Sequence, residues 1–458
     1  MSNHDSFTTK GRNLFDTRLG RRGLLGAGAG AVVGGAAVSQ AAAAPGKASS
    51  RYAAPAIIGQ ATTSLVWAIP GNPDEIAVYQ ALADRFMEAN PTVEVTLDRE
   101  ASDFERIVTL IASGSAPDVI FATINNWPAL AVRDVFLPLD DFIEQDGYDI
   151  EDFYPQIIRP YQYDGTRFGE GALYGLPKEI AIRSMYYNQD IYTEAGIEMP
   201  SAEEAMSWEQ FIDITEQTTI SEGGRTTQFG YIQETWWGPW MIWSWSAGGE
   251  AVDDPYAPTR STLDTPEVLK GFKTYTDFVT ALRVAPDAAT TADQGKAEIF
   301  ASGRGANYNN GRWMVPLFRT SDFNWDVMPM PADVERAQLL TGSIFGISSA
   351  TENADAAWQL LSYVVSQEGQ ELMTELGLLL PSRRSVAESD LFLNSTPPES
   401  NQVYLDDLEY ARPLPLHPRY PEMEQALEDE TALVFAGTKT AEEAMLAMHE
   451  AVNAQLQG

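Results

Sequence analysis

The fold is decided by Thr63-Ser-Leu-Val-Trp-Ala68 and by two similar runs that follow it, Val93-Glu-Val-Thr-Leu97 and Asp118-Val-Ile-Phe-Ala122. Each run is short and rich in apolar or β-branched residues, which is typical of a strand. The segments between them, 74–90 and 104–113, carry apolar residues at helical intervals. Strand, helix, strand, helix, strand is the order that builds a parallel sheet covered by helices, so this stretch predicts an α/β fold.

In such sheets ligands bind beyond the carboxyl ends of the strands. In this chain those ends are occupied by Trp67, by Glu100, and by the run Asn125-Asn126-Trp127. Amides and carboxylates pair with polar ligand groups, and an indole offers a flat apolar face, so these five residues are candidate ligand contacts. A plain turn explains the Asn-Asn-Trp run equally well, and an exposed loop acid is the competing interpretation of Glu100.

The rest of the chain is predicted to be mostly helical, with one further strand that returns to the α/β sheet. Helical spacing predicts helices over 208–218, 266–282, 354–366, 370–376, 421–436 and 441–457, a strand near 341–348, and a loop-rich region over 397–421. Asp118 stands at the opening of a predicted strand and is interpreted as a structural residue rather than a catalytic acid.

Composition narrows the classes of function. The 458 residues allow two or three domains, and 65 acidic against 30 basic residues give a net charge of −35, which disfavours nucleic acid and anionic membranes as partners. With no cysteine, disulfides and thiolate chemistry are excluded. The three histidines, His4, His417 and His449, are far apart, so neither a metal ion nor another cofactor is expected.

The first 44 residues read as an export signal. Arg21-Arg22 precedes a mild apolar stretch over 23–38 that is too short to span a bilayer, and small residues follow it. The paired arginines indicate a twin-arginine signal, with an ordinary secretory leader or a chance pair as the alternatives. Residues 45–61 then form a linker, and the mature protein is expected to be soluble and periplasmic or extracellular.

A tryptophan-rich run, Thr235-Trp-Trp-Gly-Pro-Trp-Met-Ile-Trp-Ser-Trp245, holds five of the eleven tryptophans. Its Gly-Pro pair indicates a loop or a helix start, and the later tryptophans have helical spacing. An indole packs a core or stacks on a sugar ring with equal ease. Trp236, Trp237 and Trp240 are candidate ligand platforms, whereas Trp243 and Trp245 are expected in a core.

Several short patterns occur in a fixed order. They are Phe86-Met-Glu-Ala-Asn-Pro-Thr-Val-Glu-Val95, Leu110-Ile-Ala-Ser-Gly-Ser-Ala-Pro-Asp-Val119, Leu137-Pro-Leu-Asp140, Leu173-Tyr-Gly-Leu-Pro177, Met185-Tyr-Tyr-Asn-Gln-Asp190, Phe300-Ala-Ser-Gly303, Gly311-Arg-Trp313 and Thr341-Gly-Ser343. In order and spacing they resemble the extracellular solute-binding proteins of ABC importers, in the maltose-binding-like carbohydrate group, family 1. The resemblance runs from about residue 62 to the carboxyl terminus.

The resemblance implies a two-lobed periplasmic-binding-protein fold of type II with a hinge between the lobes. The first lobe would be 62–182 plus 336–376, and the second 183–335 plus 377–458. The family's hinge crossings map near 181–183, 330–338 and 368–377. The resemblance also implies a monomer that hands a captured carbohydrate to the transmembrane subunits of an ABC permease.

The resemblance and the strand ends add candidate ligand contacts on both lobes. The additional candidates are Lys178, Glu179, Asn309, Asn310, Trp313, Gly342, Ser343 and Arg383. The alternative interpretation is a surface ion pair for Lys178 and Glu179, a simple turn for Gly342 and Ser343, and a surface arginine for Arg383. The chain departs from the family at Gln189, where lysine is common, and in the run Ala306-Asn-Tyr-Asn-Asn310.

The favoured function is binding without catalysis. A secreted glycoside hydrolase is a different class, which would need two carboxylates about 5–10 Å apart on one cleft, and no spacing in the sequence singles out such a pair. The same fold with another cargo, such as a polyol, a glycerol phosphate compound, a polyamine or a metal, is a third hypothesis. A phosphate-bearing cargo would need backbone amides or several arginines, and Arg383 is the arginine that the sequence offers.

Overall fold

A computed structural model describes residues 62–71, 73–375, 377 and 380–457. The expected signal peptide over 1–44 and the linker over 45–61 lie outside these residues. None of the helices in the described ranges is both long enough and apolar enough to cross a membrane.

The strands are short and spread along the whole described chain. They are β1 (Thr63–Ala68), β2 (Val93–Asp98), β3 (Val119–Thr123), β4 (Gln162–Tyr163), β5 (Ala172–Leu173), β6 (Leu176–Pro177), β7 (Arg183–Asn188), β8 (Ile220–Glu222), β9 (Arg225–Gln228), β10 (Asn307–Gly311), β11 (Trp325–Met328), β12 (Gln338–Leu340), β13 (Ser343–Ile347) and β14 (Ala411–Pro413).

Helices of very different length connect them. They are α1 (Pro73–Ala89), α2 (Phe104–Ala112), α3 (Trp127–Ala131), α4 (Asp140–Asp146), α5 (Pro155–Ile158), α6 (Gln189–Ala195), α7 (Trp208–Thr218), α8 (Trp237–Ser246), α9 (Pro266–Thr280), α10 (Ala288–Asp293), α11 (Lys296–Ala301), α12 (Val315–Phe318), α13 (Ala354–Val364), α14 (Gln367–Glu375), α15 (Arg384–Ala387), α16 (Asp390–Leu393), α17 (Gln402–Asp406), α18 (Tyr420–Phe435) and α19 (Ala441–Leu456). Single 3₁₀ turns lie at Glu100–Ser102, Arg159–Tyr161, Arg312–Met314 and Asp407–Tyr410.

The first sheet has the order β2-β1-β3-β13-β6. Its first three strands are parallel, as the alternation of strands and helices predicts, and the returning strand β13 runs antiparallel to β3. Asp118 accepts a 2.8 Å hydrogen bond from the backbone amide of Val66 and so joins two strands, which confirms its structural interpretation. The α/β fold class is therefore confirmed in this part of the chain.

The second sheet has the order β10-β7-β11 and is antiparallel. Alternate side chains of β7 point to opposite faces. Tyr186 packs among Phe300, Phe318 and Trp325 on one face. Met185 and Tyr187, on the other face, join the apolar cluster that contains α8. The sheet is therefore covered on both sides, and every residue of β7 is buried.

The helix that carries the tryptophans is buried along its whole length. It packs against α9, and α18 and α19 close over the pair. A helix that is apolar on every side must be surrounded by protein, and this is the case here. Trp243 and Trp245 lie in the core, as expected.

The chain passes between the two sheets at several places. It runs from β6 in the first sheet to β7 in the second, and it returns from β11 to β13 through β12, which pairs with β14. These two passages coincide with the crossings expected near 181–183 and 330–338. The third expected crossing, 368–377, falls on α14, which packs against α1 and α13 beside the first sheet.

Candidate functional site

Two neighbouring cavities lie where the ends of the two sheets approach each other, and Trp313 lines both of them. The larger cavity, of about 580 Å³, is called the tryptophan compartment here; its polar and aromatic lining is Arg183, Glu234, Trp236, Thr291, Lys296, Glu298, Tyr308, Asn310 and Trp313. The smaller cavity, of about 370 Å³, is called the hinge compartment; its lining includes Glu75, Asn125, Lys178, Glu179, Arg312, Trp313, Gly342 and Ser343.

Glu234 is the polar centre of the tryptophan compartment. Its carboxylate accepts hydrogen bonds from the Tyr308 hydroxyl at 2.7 Å, from Asn310 Nδ2 at 3.0 Å and from Lys296 Nζ at 3.2 Å. Burial alone would raise the pKa of Glu234, but the charge of Lys296 and the hydrogen bond from Tyr308 outweigh it and hold the pKa below its usual value. Glu234 is therefore ionised at neutral pH.

Arg183 forms the floor between the two aromatic side chains of this compartment. Its guanidinium carbon lies 5.3 Å from the ring centroid of Trp236 and 5.6 Å from that of Trp313, which is cation–π range for both. Only 4% of the residue is exposed. The three side chains therefore form one contact group.

Each of these two tryptophans lies against a glycine two residues away in the chain. A Cβ at Gly311 would overlap the six-membered ring of Trp313, and a Cβ at Gly238 would overlap the ring of Trp236. The glycines therefore let the indoles approach the backbone more closely than any side chain would allow. Trp313 keeps 43% of its surface exposed in this arrangement, although the ring touches protein on one face.

The hinge compartment contains a buried ion pair. Lys178 Nζ lies 2.5 Å from Glu179 Oε2 and donates to the Tyr79 hydroxyl at 3.0 Å. Burial disfavours the charged ammonium, but the charge of Glu179 and the hydrogen bonds to Glu179 and Tyr79 outweigh it and raise the pKa of Lys178 above its usual value. The Ser343 hydroxyl donates to the other oxygen of Glu179. The pair is thus built into the floor rather than solvated at a surface.

Gly342 opens the wall of the hinge compartment beside Ser343. Its φ of +144° lies in a region that favours glycine, and a Cβ there would stand 3.5 Å from the backbone oxygen of Glu179. The backbone at this point is therefore exposed to the cavity without a side chain in front of it.

Half of the sixteen ligand contacts predicted from the sequence line one of the two compartments. They come from strand ends of the first sheet and from two separate segments around the second sheet, so the fold brings together residues that are distant in sequence. The eight are Asn125, Lys178, Glu179, Trp236, Asn310, Trp313, Gly342 and Ser343.

Four other candidates are core tryptophans. Trp67 packs edge-on against Tyr79 and Phe345, and Trp127 donates its Nε1–H to the carbonyl of Pro160 at 2.9 Å. Trp237 and Trp240 lie on the buried helix α8. All four are at most 1% exposed, so their apolar faces are already covered by protein.

The remaining four candidates also lie outside the lining of the two compartments. Asn309 lies on the opposite face of β10 from Asn310, because side chains alternate along a strand, and it bonds to Met330 Sδ. Arg383 pairs with Asp152 at 3.0 Å and lies over the Tyr148 and Phe153 rings. Glu100 stands exposed in a 3₁₀ turn, and Asn126 precedes α3.

Sequence reasoning missed most of the lining of the tryptophan compartment as ligand contacts, including Arg183, Glu234, Lys296 and Tyr308. The alternation of β10 offered one signal, since Tyr308 and Asn310 must share a face when β10 is a strand. Strand alternation could not predict that Arg183 lines the compartment, because its aromatic neighbours, Trp236 and Trp313, come from other parts of the chain.

A larger cavity of about 1040 Å³ lies elsewhere, between α4, α5 and the segment 250–256. None of the sixteen predicted contacts lines it. Its aromatic side chains are already engaged: Phe153 is buried, and the guanidinium of Arg159 covers the ring of Tyr256 at 4.2 Å. We therefore place the candidate site at the two compartments that share Trp313.

The described residues contain no group of three metal-ligating side chains placed to hold a metal ion. The compartments instead present amide, carboxylate and cationic groups beside two indole faces. This arrangement suits a neutral or charged solute that carries several hydroxyl groups, because carboxylates and amides match paired hydroxyls while indoles cover the apolar face of a ring.

Comparison with known proteins gives a consistent result. A family model described as bacterial extracellular solute-binding protein matches residues 81–397. The maltotriose-binding protein of Pyrococcus abyssi is 24% identical over 319 residues, which cover 67% of this chain and 63% of that protein, so the chain spans less than two thirds of that relative's length.

Solved structures share the fold. The ABC substrate-binding protein Lmo0181 of Listeria monocytogenes, in complex with cycloalternan, superposes with a TM-score of 0.78 at 21% identity and covers 86% of this chain and 99% of that chain. UgpB of Mycobacterium tuberculosis, in complex with glycerophosphocholine, gives a TM-score of 0.73 at 17% identity over 86% of this chain and 99% of that chain. The two-lobed, maltose-binding-like fold is therefore shown for this chain.

Proposed function

Because this chain belongs to the bacterial extracellular solute-binding protein family, we propose that it is the substrate-binding component of an ABC importer and that its cargo is a carbohydrate held at the two compartments. The names of its relatives support a sugar, since the family member from Pyrococcus abyssi is a maltotriose-binding protein. The cargo would be delivered to the transmembrane subunits of a permease by a monomeric receptor.

The observation that carries this proposal is the pair of partly exposed tryptophans in the tryptophan compartment. Trp313 and Trp236 stand beside the amide of Asn310 and the ionised carboxylate of Glu234. Indole faces cover the CH surface of a sugar ring, and the polar groups accept and donate to its hydroxyls. Affinity would come from both kinds of contact together.

Binding without catalysis is the reading that the chemistry of Glu234 supports. A glycosidase needs one carboxyl group that stays protonated near neutral pH and can donate to the leaving oxygen. Glu234 has a lowered pKa and already accepts from three donors, and Glu179 is held by Lys178 and Ser343. Both carboxylates are therefore suited to accept hydrogen bonds from hydroxyls.

Export by the twin-arginine route is a further part of the proposal and rests on Arg21-Arg22 in the sequence. A precursor with both arginines replaced by lysine, R21K/R22K, should accumulate inside the cell, while a precursor with Arg12→Lys should be exported normally. Equal export of the double variant and the natural sequence would contradict this route.

The function is tested by titrating the mature protein with a panel of mono-, di- and trisaccharides, polyols and glycerol phosphates, while tryptophan fluorescence is recorded. The expected result is a saturable change with a saccharide class, after which chromatography recovers the ligand unaltered. Recovery of a cleaved ligand would instead support a glycoside hydrolase. If no saccharide changes the tryptophan fluorescence, a carbohydrate cargo is contradicted.

A further inference from the structure

Arg183 carries a buried charge without a carboxylate partner. Among the described residues its guanidinium forms no ion pair, and its hydrogen bonds from Nη1 go to the Asn309 carbonyl at 3.2 Å and to Asn310 Oδ1 at 3.4 Å. Both bonds are long for a charged donor. Its Nε has no hydrogen-bond partner in the described part of the chain. A buried cation in this condition is costly unless an anion or several acceptors reach it.

The nearest acid cannot supply that partner. The charge of Arg183 does help to lower the pKa of Glu234, but no ion pair joins the two among the described residues. The carboxylate of Glu234 instead accepts from Lys296, Tyr308 and Asn310, and its ion pair is with the lysine. Glu298 also lines the compartment but is exposed to solvent. Buried Arg183 and the half-buried pair of Lys296 and Glu234 therefore carry a formal excess of one positive charge.

The geometry points to a cargo that carries an oxyanion. We propose that the carbohydrate of the proposed function is acidic, that its oxyanion binds at the guanidinium of Arg183, and that its ring lies against Trp236 and Trp313. This inference rests on the proposed function and narrows its substrate class. A guanidinium offers several donors in one plane, which matches the paired oxygens of a carboxylate or of a phosphate.

The negative charge of the whole chain does not oppose such a cargo strongly. The net charge is −35, but most of it is distributed over the surface, and at physiological ionic strength charges separated by more than about 8 Å are largely screened. Contacts inside the compartment are screened much less. The local excess of positive charge therefore governs the last step of binding.

A purely structural role for Arg183 makes a different prediction. If the guanidinium only supports the two indoles, the protein should bind neutral and acidic sugars of the same shape equally well. If it receives an oxyanion, the acidic sugar should bind more tightly, and the difference should shrink as salt is added. The two roles are therefore separated by matched ligands.

The experiment is isothermal titration calorimetry of the mature protein with three probes: a digalacturonate, the matched neutral digalactoside, and glucose 1-phosphate. We expect one of the two oxyanion probes to bind at least about tenfold more tightly than the neutral disaccharide at low salt, and which one identifies the source of the oxyanion. Equal affinity for all three probes, or a preference for the neutral disaccharide, would overturn the inference.

Variants then assign the preference to the residue. In Arg183→Gln the ratio of acidic to neutral affinity should fall to about one. Arg304→Gln makes the same change of charge at an arginine that bonds to the Thr227 carbonyl and to Gln294, outside both compartments, and should keep the ratio of the natural protein. A ratio retained in Arg183→Gln would contradict the assignment. If that variant does not fold, the probe comparison in the natural protein decides.

The outcomes for this inference and for the proposed function are distinct. Binding of the neutral disaccharide alone would contradict the oxyanion site but would support the function of a carbohydrate receptor. Inorganic phosphate is titrated as a control: if it binds as tightly as glucose 1-phosphate, depends on Arg183 and is not accompanied by binding of either disaccharide, the result supports the oxyanion site and contradicts the sugar platform. Absence of binding by every probe contradicts both.

Discussion

The indole of Trp313 lies directly against the backbone of Gly311, so closely that a Cβ at position 311 would overlap the ring. The φ of Gly311 is −85°, which any residue can adopt, so the glycine is needed for the space and not for its backbone angle. This contact fixes how far the ring can reach into both compartments. The shape of the candidate site therefore depends on a residue that has no side chain to contact a cargo.

Gly311→Ala should push the Trp313 ring out of its present place. Because stacking contributes about 0.5–1.5 kcal/mol and requires correct placement of the ring, we expect cargo to bind up to about tenfold more weakly. Calorimetric titration with the tightest-binding saccharide measures the effect, and circular dichroism confirms that the variant folds. Unchanged affinity in Gly311→Ala would show that the ring position is not important for binding.

The buried pair of Lys178 and Glu179 should be important for stability. Lys178→Met leaves the Glu179 carboxylate in the hinge compartment without its cation, which should lower the free energy of unfolding by about 3 kcal/mol. Urea denaturation measures the loss. Lys273→Met is the matched control, because its exposed pair with Asp277 should contribute less than about 0.5 kcal/mol. Similar losses in both variants would contradict the account of a buried pair.

Asp407 should make stability depend on pH in an unusual direction. Burial raises the pKa of its carboxyl to about 6, although Arg336 at 2.6 Å favours the charged form. The unfolded state has the lower pKa, so between about pH 4 and pH 6 the folded state binds the proton more tightly, and stability contributed by this group is lost as pH rises.

The test compares the natural protein with Asp407→Asn by urea denaturation at pH 4.5 and pH 7. The natural protein should lose about 2 kcal/mol relative to the variant across that interval, since one pKa unit corresponds to about 1.4 kcal/mol. A difference between the two proteins that is constant with pH would contradict the raised pKa.

Arg383 should stabilise the fold without touching cargo. Its guanidinium pairs with Asp152 and donates from Nε to the Val365 carbonyl at 2.6 Å. Arg383→Met should therefore cost about 3 kcal/mol of unfolding free energy and leave the affinity of the folded protein for its cargo unchanged. Calorimetric titration below the melting temperature checks the second part. If a fully folded Arg383→Met protein binds its cargo more weakly, Arg383 contributes to binding and the structural interpretation is contradicted.

Much of the fold was predictable because local signals agree with it. The helix predicted over 208–218 is found at Trp208–Thr218, where Ser207 and Gln210 form a capping box at its start. The expected loop-rich region over 397–421 was wrong in part, since it contains α17 and β14. β14 exists because β12 pairs with it, a contact between distant segments that local patterns do not show.

The site was predictable only in part, and its tryptophans show why. Trp236 and Trp237 are adjacent in the chain, yet Trp236 lines a compartment and Trp237 donates to the Tyr420 hydroxyl at 3.0 Å in the core. When a helix is apolar on every side, the spacing of its apolar residues does not show which of them face the core and which face a ligand. Arg183 was expected in a hinge crossing, and its contact with two indoles appears only when β7, β10 and the 229–236 segment come together.

The most direct test of the central claim is calorimetric titration of the natural protein and of Trp313→Ala with the same saccharide. We predict at least about tenfold weaker binding by the variant, with a free energy of unfolding within about 1 kcal/mol of the natural protein, because the ring is 43% exposed. Trp240→Ala, which empties a core position, should instead lose about 3–5 kcal/mol of stability. Equal affinity of the natural protein and a folded Trp313→Ala variant would contradict the claim that the cargo binds at the compartments this tryptophan joins.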